Sequence, residues 1–327
     1  MLIANAVKKP KQTGNAFKVN IISFIGRIRR AFMRDKYLYL MFLLPLLYYI
    51  IFHYVPMYGI LIAFKKIKVF RGLGSILEAP WNGAQYFKEY LKDPYFWKLV
   101  RNTILIRIYD IAWGFPVPII FALLLNEVRN NVFKRTIQSI TYLPHFLSTV
   151  VICGMITTFL ATDGLINNII KAFGGEAIQF LAKSEWFRTV FIASGIWQNF
   201  GWESIIYIAS LTAIDVELYD AARIDGAGRW KQTIHVSLPG IMPTIIILFI
   251  LNLGKIMNVG YQKILLLYNG ATYETADVIS TFVYRRGLIE TNFSYATAVG
   301  LFSTVIGLMF IISANKISKK VGETSLW

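Results

Sequence analysis

The sequence is poor in the residues that build disulfides, metal centres and catalytic triads. It holds one cysteine, Cys153, so an intrachain disulfide is excluded. Its three histidines, His53, His145 and His235, are scattered too widely to suggest a metal site, and neither an HExxH motif nor a Ser–His–Asp arrangement is apparent. An integral-membrane enzyme therefore finds no support, and we expect neither catalytic residues nor a bound metal or cofactor in this chain.

The sequence also lacks a phosphate-binding loop. No GxxxxGK[ST] motif occurs, and Gly226-Ala227-Gly228 is not followed by the required Lys-Ser/Thr pair. We therefore expect the chain not to hydrolyse ATP by itself. A series of acidic side chains typical of a proton relay is missing as well, which weakens the alternative of an ion-coupled sugar carrier or channel that works without an ATPase.

Apolar runs, in contrast, are long and frequent. Hydrophobic residues make up 56% of the 327 residues, and six runs reach the length of about 20 residues that a membrane-spanning helix needs. These runs cover about 37–64, 103–125, 140–161, 189–214, 241–268 and 293–315. Because they do not alternate with period two as barrel strands do, the sequence predicts an all-α integral membrane protein with six transmembrane helices.

Acidic residues are outnumbered, with 18 against 34 basic ones and a net charge of +16. Basic residues gather at the cytoplasmic ends of membrane helices, so we expect no nucleic-acid partner. The first 36 residues hold nine basic residues and one acid, which predicts a cytoplasmic N-terminus and, with six spans, a cytoplasmic C-terminus. The loop 65–102 departs from this bias because it carries eight basic residues.

The predicted order of segments follows from these runs. No cleavable signal peptide is expected, and residues 20–32 form an amphipathic pattern typical of a helix in the inner membrane interface. The segments are a basic cytoplasmic region 1–36, a first span 37–64, an extracytoplasmic loop 65–102, a core domain 98–315 with a polar loop at 215–240, and a cytoplasmic tail 316–327. Prolines in Phe115-Pro116-Val117-Pro118 and Leu143-Pro144-His145-Phe146 predict kinks or helix starts.

Polar side chains inside the apolar runs are costly and normally face the bundle interior or water. Arg107 and Asp110 are spaced for a structural ion pair. The candidates for a polar path are Trp197, Gln198, Asn199, Trp202, Glu203, Asn252, Lys255, Asn258 and Gln262, with His145 as a weaker one. On a continuous helix the last four of the nine would share about 120° of arc. Two interpretations stay open: hydrogen bonds between helices, or the wall of a path for sugars.

The polar loop YDAARIDGAGRWKQTIHVSLPG, residues 219–240, lies between two apolar runs on the predicted cytoplasmic side. Residues 220–224 can form a short helix with Asp220 and Arg223 one turn apart. Gly226 can end this helix with a positive φ, and Pro239 suits the start of the next helix. The pattern predicts a rigid helical projection outside the bilayer.

The spacing of this loop resembles the EAA loop of binding-protein-dependent ABC importers. That pattern is Glu-Ala-Ala, three residues, Gly, nine residues, Ile, one residue, Leu-Pro; here Asp220 replaces Glu and Val236 replaces Ile. In that family the loop carries a coupling helix that sits in a cleft of a separate ATPase subunit. The resemblance implies ATPase-coupling roles for Tyr219, Asp220, Ala221, Ala222, Arg223, Asp225 and Gly226.

Further segments resemble permeases for oligosaccharides from complex polysaccharides, such as alginate, aldouronate and rhamnogalacturonan fragments. These segments are Ala79-Pro80-Trp81, Asp93-Pro94-Tyr95-Phe96-Trp97, Arg101-Asn102-Thr103, Ala122-Leu123-Leu124-Leu125-Asn126-Glu127, Tyr142-Leu143-Pro144-His145-Phe146, Ile214-Asp215, Gly260-Tyr261-Gln262 and Ser325-Leu326-Trp327.

The resemblance implies the type I ABC importer permease fold in a bacterial plasma membrane. It also implies four kinds of partner: a second, related permease, two copies of an ATPase that binds ATP and Mg, an extracellular solute-binding protein, and an oligosaccharide substrate. The basic loop 65–102 would attract either an acidic sugar or an acidic binding protein.

Overall fold

A computed structural model describes residues 34–67, 72–321 and 325–326. Within these ranges the chain is helical and contains no β-strand; the single β feature is an isolated bridge between Lys65 and Trp81. This confirms the all-α prediction. The expected amphipathic helix at 20–32 lies outside the described residues.

We number the α-helices in chain order and count directly joined α, π and 3-10 turns as one helix only in the three membrane-length helices Lys36–Phe64, Phe96–Asn126 and Arg229–Gly254. The membrane-length helices and their linkers are α1 Lys36–Phe64, α2 Leu73–Glu78, α3 Gln85–Lys92, α4 Phe96–Asn126, α5 Asn131–Tyr142, α6 Thr149–Phe159 and α7 Leu165–Ala172. They are followed by α8 Ser184–Thr212, α9 Val216–Ile224, α10 Arg229–Gly254, α11 Tyr261–Leu267, α12 Tyr273–Ala276, α13 Ile279–Tyr284 and α14 Phe293–Val321.

The chain divides into two units, residues 1–60 and 61–327. In the first unit every described side chain from residue 36 to 58 is exposed, and most are apolar. A continuous apolar surface of this length is suited to contact with lipid.

Four helices of the described chain, α1, α4, α10 and α14, are long and apolar enough to cross a membrane. The pair α5 and α6 qualifies as a fifth only if it counts as one span, since it bends by 100°. Helix α8 has 29 residues but is not among these candidates, because Gln198, Asn199 and Glu203 lower its mean hydropathy. The structure therefore supports four or five of the six predicted spans by length and composition.

Two predicted spans are not continuous helices. The run 140–161 breaks in a 3-10 turn at Leu143–Phe146, as the proline predicts. The run 241–268 breaks without a proline: α10 ends at Gly254, and α11 begins at Tyr261. The prediction of one helix with a shared polar face across this run is wrong, since Asn258 lies in the break and Gln262 on the next helix.

The end of α10 packs tightly against α14. A Cβ atom at Gly254 would lie 2.3 Å from the side chain of Ile311, and one at Gly307 would lie 2.6 Å from the carbonyl oxygen of Gly254. Small residues let membrane helices approach each other at such crossings. The close contact between Gly254 and Gly307 therefore holds the C-terminal end of α10 against α14.

Helix α10 also begins earlier than expected. Pro239 lies in the first turn of its α-helical part, as predicted, but the helical chain enters this turn from Arg229 through a π-helical segment, Thr233–Ser237. A π-helical turn changes the hydrogen-bond register locally. Pro239 therefore lies within a continuous helix rather than at its start.

Helix α8 is central to the packing of the second unit. Phe200 on α8 meets Phe121 on α4 with ring centroids 5.0 Å apart, and the hydroxyls of Ser210 and Thr244 are 2.8 Å apart between α8 and α10. Gly201 packs on α5 so closely that a Cβ atom there would lie 2.3 Å from a backbone oxygen. These contacts place the polar residues of α8 among three other helices.

The predicted extracytoplasmic loops are held by a buried polar network. Asn102 is fully buried and donates to the backbone oxygens of Glu274 and Asp277 at 2.8 and 3.0 Å, and accepts from Arg188 at 3.0 Å. Asp277 accepts two hydrogen bonds from Arg285 at 2.8 and 2.6 Å, and this carboxylate raises the pKa of Arg285. The Arg101-Asn102-Thr103 segment thus fastens α4 to the chain before α13.

Candidate functional site

The polar loop forms an exposed helix that projects from the helical core. Helix α9 is capped by Asp215, whose carboxylate accepts from the backbone N–H of Glu217 at 3.0 Å. On the opposite side, the hydroxyl of Tyr219 lies 2.9 Å from that of the buried Ser237 on α10. The helix is therefore fastened directly to the base of a membrane-length helix.

The C-terminus of α9 is a Schellman motif. The N–H of Ala227 donates to the oxygen of Ala222 at 2.8 Å, and the N–H of Gly226 donates to the oxygen of Arg223 at 3.0 Å. Gly226 has φ +75°, and nothing lies within 4 Å of where its Cβ would be. The predicted role of Gly226 as the helix end is confirmed.

The outer surface of α9 is apolar and unusually exposed. Ile224 is 86% exposed, Val216 67% and Leu218 55%, and the ion pair between Asp220 and Arg223, at 2.8 Å, is also exposed. Exposed apolar groups on a short, rigid helix are typical of a surface that binds a partner. The predicted coupling residues at 219–226 all belong to this helix or its end.

A second feature is a polar cavity of about 280 Å³ in the middle of the second unit. Its lining combines charged and amide side chains from α4, α8 and the end of α10 with glycine backbone. The lining residues are Arg107, Asp110, Gly114, Phe115, Gly195, Ile196, Asn199, Phe200, Glu203, Asn252 and Lys255. Such groups can hydrogen-bond a hydroxylated or charged solute.

An ion-pair network forms one side of this cavity. Arg107 pairs with Asp110 within α4, and its Nη2 also donates to Oδ1 of Asn252 on α10 at 2.8 Å. The Arg107 side chain is largely buried and that of Asp110 is partly open. The predicted pair is present, but it also joins two helices and lines the cavity, which its spacing alone did not indicate.

A stacked pair lies next to the cavity at the break between α5 and α6. The rings of His145 and Trp202 are parallel within 3°, with centroids 4.7 Å apart, and Nδ1 of His145 lies 3.0 Å from Oδ1 of Asn199. Because Asn199 lines the cavity, this contact ties the bend in the chain to the cavity wall. His145, the weaker candidate in the sequence, therefore contacts a residue that lines the polar cavity.

The structure brings together four of the nine predicted path residues, Asn199, Glu203, Asn252 and Lys255, in the polar cavity. Trp202 lines an adjacent cavity of about 370 Å³ that shares Glu203 and Asn252.

The remaining predicted path residues lie elsewhere. Trp197 faces a separate apolar cavity of about 450 Å³. Gln198 is half-buried on α8, and Asn258 and Gln262 are exposed beyond the end of α10.

One charged residue near the cavity was not among the predicted path residues. Lys263 on α11 donates to the backbone oxygen of Phe191 at 3.2 Å and lies over the Phe191 ring at 5.0 Å. Its Nζ is 3.5 Å from where a Cβ of the cavity residue Gly195 would be. The signal available in the sequence was a lysine inside the predicted span 241–268.

Within the described residues, no group of three or more His, Cys, Asp or Glu side chains is arranged to hold a metal ion. The candidate site therefore consists of hydrogen-bonding, charged and aromatic groups.

The chain is similar to proteins of known type over most of its length. The family described as "Binding-protein-dependent transport system inner membrane component" matches residues 114–323. The polygalacturonan/rhamnogalacturonan transport system permease protein YteP of Bacillus subtilis (strain 168) is 44% identical over 90% of this chain and 91% of its own length. Protein LplB of the same organism is 42% identical, with 91% and 93% covered.

Solved structures show the same likeness. A bacterial ABC transporter involved in the import of the acidic polysaccharide alginate contains a chain with a TM-score of 0.81 and 38% identity, with 90% of this chain and 99% of that chain covered. The bacterial alginate ABC transporter in complex with alginate pentasaccharide-bound periplasmic protein gives the same TM-score and identity, with 92% and 100% covered.

Proposed function

Because this chain belongs to the family of binding-protein-dependent transport system inner membrane components, we propose that it is a permease subunit of an ATP-driven importer for oligosaccharides from a complex or acidic polysaccharide. The resemblance predicted from the EAA-like loop is confirmed by the family match. The proposed substrate class is supported by the rhamnogalacturonan and alginate relatives, which are transport proteins rather than enzymes.

The observation that carries the proposal is the exposed, rigid helix α9. We propose that residues 219–226 dock into an ATPase subunit that binds ATP and Mg, so that closure of two ATPase copies moves the membrane helices. The Schellman end at Gly226 and the link from Tyr219 to Ser237 would let the helix transmit force without deforming. The exposed Ile224 and Leu218 provide apolar area for that contact.

In this proposal the polar cavity is part of the substrate path. Hydroxyl groups of a sugar can bind the amides and charged groups of Asn199, Glu203, Asn252 and Lys255. The neighbouring Trp202 presents an aromatic face for C–H stacking. A second permease would complete the path, and an extracellular binding protein would deliver the oligosaccharide to it.

We further propose six membrane crossings with both termini in the cytoplasm of a bacterial cell. Helix α8 is the fourth crossing, since two of its polar residues, Asn199 and Glu203, line the cavity. Helix α6 has 11 residues and is about 16 Å long at 1.5 Å per residue, roughly half of a 30 Å hydrocarbon core. The third crossing therefore needs the preceding broken segment as well.

Reconstitution in proteoliposomes tests this function. The chain should import oligosaccharide only with a sister permease, the ATPase, ATP and the binding protein, and the binding protein should stimulate ATP hydrolysis. Uptake by the purified chain alone, driven by an ion gradient, would instead establish the ion-coupled carrier. ATP hydrolysis that ignores the binding protein would also contradict the proposal.

A further inference from the structure

The polar cavity contains one ion pair and two further charged groups that are not paired with each other. Arg107 and Asp110 form a pair that is further fixed by Asn252. Glu203 and Lys255 also line the cavity, yet neither makes a side-chain hydrogen bond or ion pair within the described part of the chain. These two opposite charges therefore line the same cavity without forming an ion pair.

A third cation lies behind the cavity wall at Gly195. Among the described residues, the ammonium of Lys263 makes one hydrogen bond, to the oxygen of Phe191, although an ammonium has three donors. Its Nζ lies 3.5 Å from the position of a Gly195 Cβ, and Gly195 lines the cavity, so no side chain at position 195 covers the ammonium. Arg107 and Lys255 balance Asp110 and Glu203 in the cavity lining. Lys263, next to that lining, brings the total to three cations against two carboxylates.

An uncompensated cation among membrane helices is costly and normally serves a function. A neutral sugar has no charge to balance this excess, whereas a uronate unit carries one carboxylate. A carboxylate can accept charge-assisted hydrogen bonds from lysine ammonium groups. Glu203 is an acceptor that suits the hydroxyls of the same unit and disfavours a second nearby carboxylate.

We propose that the polar cavity recognises the carboxylate of a uronate unit through Lys255 and Lys263, with Glu203 accepting hydroxyl hydrogen bonds. This inference rests on the proposed function and narrows it, because it makes this chain itself, and not only the binding protein, selective for acidic oligosaccharides. Gly195 has a defined part, since a larger side chain there would cover Lys263.

The test measures direct binding to the complete purified transporter without binding protein, so that selection at the earlier step is removed. The two probes are labelled trigalacturonate and its neutral methyl ester. The wild type should bind the acid more tightly than the ester. Lys255→Gln should weaken binding of the acid about tenfold, the size of one lost charge-assisted hydrogen bond, and leave binding of the ester unchanged.

Two further variants and a control sharpen the test. Glu203→Gln should tighten binding of the acid, since a repulsive charge is removed. Gly195→Leu should reproduce part of the Lys255→Gln effect, whereas Gly195→Ala should not, because 3.5 Å is ordinary contact. Lys316→Gln, an exposed lysine on α14, should leave binding of both probes unchanged, and the melting temperature of each purified variant transporter confirms that it is folded.

The outcomes separate this inference from the proposed function. Equal binding of acid and ester by the wild type, or equal loss of both in Lys255→Gln, would overturn the carboxylate site while ATP-driven import of oligosaccharide still stood. Failure of the reconstituted transporter to import any oligosaccharide would overturn the proposed function as well. Selective loss of the acid supports the inference.

Discussion

Replacing Gly226 by valine should uncouple ATP hydrolysis from uptake without disturbing the membrane core. The residue has φ +75°, a conformation that costs an L-residue about 1–2 kcal/mol, and more for a β-branched side chain. A Cβ atom there would meet nothing within 4 Å, so no clash adds to this cost. The Schellman hydrogen bonds of Ala227 and Gly226 are what the strain would break.

The expected size follows from this strain. A penalty of 1–2 kcal/mol lowers the population of the ordered helix end by roughly 5- to 30-fold. Because α9 is exposed and packs little on the core, the loss should stay local, and membrane insertion and thermal stability should be near those of the wild type. The assay is sugar uptake per ATP hydrolysed in proteoliposomes that contain the complete transporter.

A matched control lies two residues away. Gly228 has φ −67° and ψ 169°, an extended conformation that valine adopts readily, and its Cβ position is also open. Gly228→Val should therefore couple normally, and Gly226→Asn should retain much of the coupling because asparagine tolerates positive φ. Undiminished coupling in Gly226→Val, or an equal loss in Gly228→Val, would refute the reasoning.

Two further predictions concern the helical core. Asn252→Leu removes an acceptor of the Arg107 guanidinium and should lower the stability of the fold by about 1–3 kcal/mol, seen as a lower melting temperature and slower uptake. The control Asn258→Leu, at an exposed position, should change neither. Equal effects of the two variants would contradict the hydrogen bond between α4 and α10. Gly201→Ala would place a Cβ 2.3 Å from the Thr141 oxygen and should destabilise the protein by about 1–3 kcal/mol through overpacking. Gly300→Ala, with open space at its Cβ, is its control in the same detergent melting experiment, and an equal melting temperature for the two variants would exclude the close packing.

The C-terminal end of α9 could be predicted from the sequence because it depends on local chemistry, whereas the helix begins at Val216, four residues before the predicted start. The hydrogen bonds of the Schellman end at Gly226 join groups no more than five residues apart. The cap at Asp215 is equally local, since it binds the N–H of Glu217, but it was not predicted. The spacing of Asp220 and Arg223 on one helical turn likewise needs no tertiary contact. Such features follow from propensity and backbone conformation alone.

The polar cavity could be predicted only in part because it depends on where helices break and cross. Asn258 and Gln262 were predicted to share a face with Lys255 on one continuous helix, but the helix ends at Gly254 and that face does not form. Gly254, Asn258 and Gly260 lie within seven residues, a pattern that favours a helix end and could have marked the break. The hydrogen bond from Arg107 to Asn252 could not be predicted, because the two residues are 145 positions apart in the sequence.

Helix α8 shows why hydropathy and function conflict in such a protein. Its polar residues lower its mean hydropathy, so that it is not among the helices that qualify as spans by composition. Two of these residues, Asn199 and Glu203, line the cavity. A helix that lines a polar path must carry groups that bind the solute, and each such group weakens its signal as a span. The low hydropathy of α8 is therefore what a helix that crosses the membrane and lines the path should show. In an Asn199→Cys variant, the new thiol should react with a membrane-impermeant thiol reagent only in the presence of ATP and the binding protein. Reactivity that never changes would assign α8 a purely structural role.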